Sequence, residues 1–360
     1  MSFTGFGDLW EYLAAQKEKS IVMYGMGNGA DKILDVCASY GIEIADFFAS
    51  DGFVRGHSFH GKKVLSYTEA KEKYGADKMI VLLSFASSLS SVLELIYKVA
   101  DECELYAPDV PVCGGTLFCR AFYEENKEKI KAARNLFADE KSKEIFDNVI
   151  SYKLSGDIKH LRLAESDKNE VYSALLSAEK IETAIDAGAY NGDTARELSL
   201  FAPSLKKIFA LEPDRRNFRK LSAYAESETR FKVTPIKCAA WNESATLCYD
   251  ASGNRNAGLN TGATKTVEVD AIAIDSLEAE HVDYIKYDVE GAEKEALLGS
   301  AETIKAHKPT LLVSAYHRSE DIFELPMLLT SLEPSYKLYL RRYPYIPAWD
   351  LNIIARTEEI

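Results

Sequence analysis

Apolar residues in this chain gather into short unbroken runs, separated by stretches in which they recur every three or four positions. Runs of that length read as strands buried on both faces, and the intervening period reads as amphipathic helix. In the first third the runs are SIVMYG (20–25), IEIADFFASD (42–51), KMIVLLS (78–84) and ECELYAPD (102–109), with helices over 28–40 and 90–100. After residue 181 they are TAIDAG (183–188), KIFALE (207–212), KVTPIKCAAW (232–241), VDYIKYD (282–288), TLLVSAY (310–316), KLYLRRY (337–343) and LNIIAR (351–356). Strand alternating with helix predicts parallel sheets with right-handed crossovers. The expected fold is α/β with two Rossmann-like domains, at 1–119 and 179–360, and the last two strands form an antiparallel pair.

Between the domains, residues 120–178 are charged and helical in pattern. Ile145, Phe146, Val149 and Ile150 form one apolar stripe there. This reads as a connector that packs on the second domain and roofs its pocket. Residues 244–274 alternate apolar and polar positions between Gly and Asn, which predicts a β-hairpin arm over the site's mouth.

Two strand ends carry chemistry. The run ending at Asp186 enters the turn Gly188-Ala189-Tyr190-Asn191-Gly192, and helix formers resume near Thr194. Free N–H groups at a helix start and glycines that let a ligand approach the backbone suit a cofactor. Glu212 ends the next strand, where a carboxylate commonly grips the two hydroxyls of a ribose. The turn lacks the strict G-x-G-x-x-G of pyrophosphate binders, so S-adenosylmethionine fits it better than a dinucleotide. In the first domain Gly25, Gly27 and Ala30 follow the G-x-G-x-x-A variant, with Asp51 in the ribose position, so a nucleotide ligand is a second expectation.

Asp186, Gly188, Gly192, Glu212, Ala240, the DVEGAE block from Asp288 to Glu293, His317 and the KLYLRRY strand stand in an order that resembles the FkbM-type S-adenosylmethionine-dependent methyltransferases. The resemblance runs from near Asp139 to Arg356. It implies a class I methyltransferase fold for the second domain, with Asp186, Gly188, Tyr190, Asn191, Gly192, Glu212, Ala240 and Asp288 around the cofactor. It also implies O-methylation of a sugar or polysaccharide-precursor hydroxyl. Two departures bear on the substrate. Trp349-Asp350 stands where the family tends to carry Glu-Thr, and Ser314-Ala315 where an acid often precedes the histidine. The segment SDGFVRGHSFHGKKVLSYTEA in the first domain resembles the nucleotide-binding domain of sugar O-acyltransferases. An NAD-linked oxidoreductase acting on a nucleotide sugar, or a non-catalytic cofactor-binding partner in glycan assembly, stays open as an alternative.

Three side chains past adjacent strand ends are the catalytic candidates. His317 has a near-neutral reference pKa and could take a hydroxyl proton; Asp288 could orient the substrate or the methionine amine; Glu290 stands at a helix start. The same trio could ligate a metal, but the carboxylates are less clustered than in catechol-type enzymes, and no metal is assigned. RRYPYIPAW offers Tyr343, Tyr345 and Trp349 with Arg341 and Arg342, which suits a sugar ring bearing a phosphate or carboxylate.

Composition narrows the partners. With 43 Lys and Arg against 56 Asp and Glu, the net charge of −13 disfavours nucleic acid. No apolar run approaches the ~20 residues of a membrane span, and no basic-then-apolar leader opens the chain, so a cytoplasmic protein is expected. The six cysteines show no C-x-x-C pair and read as reduced thiols. The expected partner is a small-molecule or glycan acceptor, and the oligomeric state is left open.

Overall fold

The computed structural model describes residues 7–54, 56, 58–250 and 266–358. The amino-terminal sheet has the order Leu65–Ser66, Asp46–Ala49, Ser20–Tyr24, Met79–Leu83, Glu104–Tyr106, and every pair in it is parallel. Its central strands are buried along nearly their whole length, as an all-parallel sheet covered on both faces requires. Trp10, Leu13 and Ile33 pack on one face, and Leu93, Ile96 and Val99 on the other.

The second sheet runs Lys232–Ile236, Lys207–Leu211, Thr183–Ala187, Tyr284–Tyr287, Thr310–Ser314, Leu351–Arg356, Lys337–Arg342. Numbered in chain order within that sheet, the strands stand 3-2-1-4-5-7-6. The last two pair antiparallel, with Leu340 opposite Ile353, and the remaining strands of the sheet pair in parallel up to Thr310–Ser314. The order reverses between Thr183–Ala187 and Tyr284–Tyr287, and at such a switch point the loops diverge and leave a crevice beyond the carboxyl ends of the strands. All seven runs read from the sequence after residue 181 form these strands. Residues Ala245–Asp250 and Thr266–Ile272 pair antiparallel, as the hairpin reading expects; its tip, 251–265, lies outside the described residues.

Helices Arg120–Leu136 and Glu140–Ser155 pack into the second domain's core through Ile130, Ala133, Ile145, Phe146 and Val149. The stripe Ile145, Phe146, Val149 and Ile150 is buried. Ser142 Oγ accepts from the Leu340 N–H at 2.9 Å, which ties the second helix to the edge strand. Tyr152, Ile158 and Leu161 from the connector share an apolar core with Leu93 and Ile96 of the first domain and with Ile346 and Ala348 of the last hairpin. Among the described residues no helix is long and apolar enough to cross a membrane.

Candidate active site

A cavity of about 570 Å³ opens over the switch point of the second sheet, within the size range of small-molecule sites. Each strand end along that edge adds a residue. Gly188 follows the first strand, Glu212 the second, Ala240 the third, Asp288 and Glu290 the fourth, and Tyr316 the fifth; Tyr345, Trp349 and Asp350 precede the last.

Gly188 stands at φ +91, and a Cβ there would lie 2.0 Å from the carbonyl oxygen of Asp288. The two strand ends therefore abut, and only glycine permits it. Tyr190 at φ +47 completes the turn, and its N–H donates to Glu212 Oε2 at 2.8 Å. The Asp214 N–H donates to Glu212 Oε1 at 2.8 Å. Asp214 in turn accepts from the Arg216 and Asn217 N–H groups and starts the helix Arg215–Ser227. Glu212 is thus held with one backbone bond per oxygen, which leaves acceptor capacity on each. Burial pushes its carboxyl up to about 8 against the pull of those two N–H groups.

Lys286 is a cation inside the strand Tyr284–Tyr287. Its Nζ lies 3.2 Å from Asp288 and 3.8 Å from Asp186. Asp186 is 0% exposed; burial pushes it up to about 6 against the pull of Lys286 and the Thr194 side chain. Asp288 goes the other way. Burial opposes its charge, but Lys286 and His317 outweigh burial and hold it at about 2. The Tyr316 hydroxyl donates to Asp288 Oδ1 at 3.0 Å.

His317 is 0% exposed and does not line the cavity. Its Nδ1 lies 2.9 Å from Glu293, and its Nε2 lies 3.5 Å from Glu290 and 3.6 Å from Asp288. Burial disfavours the imidazolium, yet the three carboxylates outweigh it and lift the pKa to about 10. A ring that holds both protons at neutral pH has no lone pair to accept a hydroxyl proton, and it stands off the cavity, so charge and position both speak against His317 as the base. Glu290 lines the cavity at φ +53, and burial lifts it to about 7 despite His317. Asp288, Glu293 and His317 bring donor atoms within 4.8 Å of one another, a spacing a metal could span; Lys286 and the charged imidazole already neutralise those acids.

Four expected cofactor or catalytic residues stand off the cavity. Asp186 and His317 lie behind its wall. Asn191 is turned to Arg196 Nη1, which donates to its carbonyl at 3.0 Å and its Oδ1 at 3.2 Å. Gly192 caps the helix Asp193–Phe201 against the Tyr224 ring, where a Cβ would meet that ring at 2.4 Å. The roof is not the connector either: Ser88 and Val112 of the first domain face the cavity, and no residue of 120–178 does. Arg341 is spent on Asp139 at 2.6 Å, and Arg342 on the carbonyls of Leu161 at 2.7 Å and of Tyr345. Tyr343 is buried in the core. Only Tyr345 and Trp349 of that segment reach the site.

The first domain is bolted on here. Gly291 stands at φ +90, and its missing Cβ leaves room for Cys113 Sγ, which would lie 2.0 Å from such an atom. The Cys113 N–H donates to the His317 carbonyl at 3.1 Å. Ser87 and Ile346 exchange backbone hydrogen bonds of 2.9 and 3.0 Å. The first domain's own glycine turn is different. Asp51 accepts from the Thr68 N–H and hydroxyl, both at 2.9 Å, and its carboxylate is exposed.

The 3-2-1-4-5-7-6 order with a cavity over its switch point defines a class I methyltransferase fold. Residues 186–341 match the family model of the methyltransferase FkbM domain. Methyltransferase FkbM from Methylobacillus flagellatus KT superposes with a TM-score of 0.69 over 94% of this chain and 90% of that one, at 20% identity, so the shared fold includes the amino-terminal domain. Precorrin-6y C5,15-methyltransferase from Geobacter metallireducens GS-15 overlaps 54% of this chain and 94% of its own (14% identity, TM-score 0.33). Fibrillarin from Aeropyrum pernix, solved with S-adenosyl-L-methionine natively bound, overlaps 49% and 67% (13% identity, TM-score 0.32). No curated protein matches the sequence.

Proposed function

We propose that the protein is an S-adenosylmethionine-dependent methyltransferase that methylates a hydroxyl of a sugar or polysaccharide precursor. The observation that carries the reading is Glu212, buried at the second strand end with one free acceptor position per oxygen, beside a turn at Gly188 that backbone alone can fill. That pairing fits an adenosine ribose on Glu212 and a methionine portion past Gly188. When bound, the cofactor supplies an electrophilic methyl group on a sulfonium, which leaves as a neutral thioether. Asp288, held ionised by Lys286 and His317, orients the groups that meet in the middle of the cavity. Glu290 takes the hydroxyl proton as the acceptor oxygen forms its new bond, since a carboxylate near pKa 7 is matched to that task. His317 acts through Glu290 and is a positioning residue. Alignment by the walls contributes most of the rate, on the order of 7–11 kcal/mol.

Calorimetry with S-adenosylhomocysteine tests the cofactor, and methyl transfer to an accepted sugar tests the base. Glu290→Gln is expected to lower turnover by about 10²–10⁴ while leaving cofactor affinity in place. The wild-type rate rises with pH through about 7, because only the deprotonated carboxylate accepts a proton. His317→Gln moves that midpoint to higher pH, since it removes a cation that favours the charged carboxylate. Absence of S-adenosylhomocysteine binding would overturn the function; unchanged turnover in Glu290→Gln would overturn the base.

A further inference from the structure

The two ends of the cavity are chemically unlike. At one end Glu212 is flanked by Arg216 and Lys220. At the other, Asp288, Glu290 and Asp350 face the same space as Tyr345 and Trp349. Trp349 has two neighbouring rings, Tyr345 at 5.5 Å between centroids and Tyr316 at 6.2 Å, which restrict its motion. Asp350 sits at φ +60, a conformation that costs a non-glycine residue energy and clusters at ligand sites. Its backbone carbonyl is used, by the Tyr343 N–H at 3.1 Å and Asn352 Nδ2 at 3.0 Å. Among the described residues no donor meets its carboxylate, which is half-buried and turned to the cavity.

Among the described residues, the cations near this end are committed. Lys286 is shared between Asp186 and Asp288. Lys168 lies 2.6 Å from Glu197. Lys32 sits behind Val112 and donates to the carbonyls of Pro111 and Val112 at 3.1 and 2.6 Å. His317 is held by Glu293, and the two arginines of the last strand pair are bound to the connector, as above. A phosphate or carboxylate entering here would be desolvated beside three acids, with no free cation among the described residues to receive it. Hydroxyls and ammonium groups have the opposite fit, since they donate to carboxylates, and the C–H face of a ring packs on an indole.

We propose that this end binds a six-membered polyol ring that is neutral or carries an ammonium group, with Asp350 and Glu290 accepting from its hydrogen-bond donors and Trp349 against its face, and that it excludes rings bearing phosphate or carboxylate. This rests on the methyl-transfer reading, which leaves this end of the cavity to the acceptor.

Four probes of one shape test it on the full-length protein saturated with S-adenosylhomocysteine: glucose, glucosamine, glucuronate and glucose 6-phosphate, by saturation-transfer NMR. Glucosamine and glucose are expected to bind, and the two anions are not. Asp350→Asn should weaken glucosamine about tenfold relative to glucose, the share of one charge-assisted hydrogen bond. Asp350→Lys should admit glucose 6-phosphate and reject glucosamine. Preference of the wild type for either anion, an unchanged ranking in both variants, or silence from all four probes overturns the assignment. Failure of S-adenosylhomocysteine to bind at all is read separately, by calorimetry, and removes the methyl-transfer reading and this one with it.

Discussion

Two glycine-bearing turns in this molecule follow the same local pattern, a buried parallel strand, a turn, a helix start, and an acid at the end of the next strand. In the first domain Asp51 is fastened to Thr68 at the start of the next helix, and Gly25 is a glycine because Phe85 and Ser84 crowd it, at 2.6 and 2.8 Å from where a Cβ would be. In the second domain Glu212 spends one backbone bond per oxygen and faces a cavity, and Gly188 is a glycine because a strand end abuts it. The difference is not in the motif or in the bonds already made, one per oxygen in each acid, but in the surroundings: Asp51 is exposed, whereas Glu212 is buried against the cavity. A strand-end acid becomes a ligand site where an enclosed space adjoins it, because there its remaining lone pairs await a partner other than bulk water.

The sharpest way to break this contrast is at the glycines. In Gly188→Ala the added carbon would press on the backbone carbonyl of Asp288, which has no side-chain freedom to yield. S-adenosylhomocysteine affinity should fall by roughly a hundredfold or more by calorimetry. Gly27→Ala places its carbon in open space at φ +101, so it should cost about 1–3 kcal/mol of backbone strain and leave affinity unchanged. Equal losses in the two variants would make the turns equivalent.

A smaller effect is expected at the acids. Glu212→Ala removes two hydrogen bonds to the ribose hydroxyls, together ~1–3 kcal/mol, about ten- to a hundredfold in cofactor affinity. Asp51→Ala should not move that affinity, and should instead lower the unfolding free energy by about 1 kcal/mol, the value of a lost helix-start bond. Affinity lost in Asp51→Ala would give the first domain a role in cofactor binding.

The smallest effect is one of sign. Glu212 has a folded pKa of about 8, above its unfolded ~4.3. The folded state therefore keeps a proton the unfolded state has released, and stability falls as pH rises through that window to about 8. Asp51 is lowered by its bonds to Thr68, so its contribution is present above its unfolded ~3.9 and lost as pH falls through the folded value. Urea unfolding from pH 5 to 9 should show the ligand-free wild type losing ground against Glu212→Gln. A constant gap would mean that Glu212 is already charged when folded.

Much of this architecture was legible in the chain. The seven runs after residue 181 became the seven strands, because strands buried on both faces leave a continuous apolar signature. The strand-end glycine and acid were legible for the same reason. Lys286 was not singled out, although a lysine inside an apolar strand is itself a signal, since a buried cation needs acids beside it. Ser88 and Val112 had no signal at all: their place on the cavity wall depends on how one domain docks on another, which no periodicity encodes. Arg341 and Arg342 misled for a related reason. On an edge strand they look available to a ligand, and the connector that consumes them is some 200 positions earlier in the sequence, with 202 between Arg341 and Asp139. His317 was placed on the right strand end, but its charge follows from Glu293, Glu290 and Asp288 together, a convergence visible only in three dimensions.

The bare backbone of Gly291, filled by a cysteine from the other domain, bears on how such a protein can be inherited. A gene fragment encoding only the second domain would retain Glu212, Asp288 and Glu290, yet would expose the turn that Cys113 covers and lose the wall that Val112 supplies. Its recombination with unrelated amino-terminal segments would be selected against at that joint. Exchange of a whole module would have to restore that joint, so substitutions facing the seam are the simpler route to new substrate preferences.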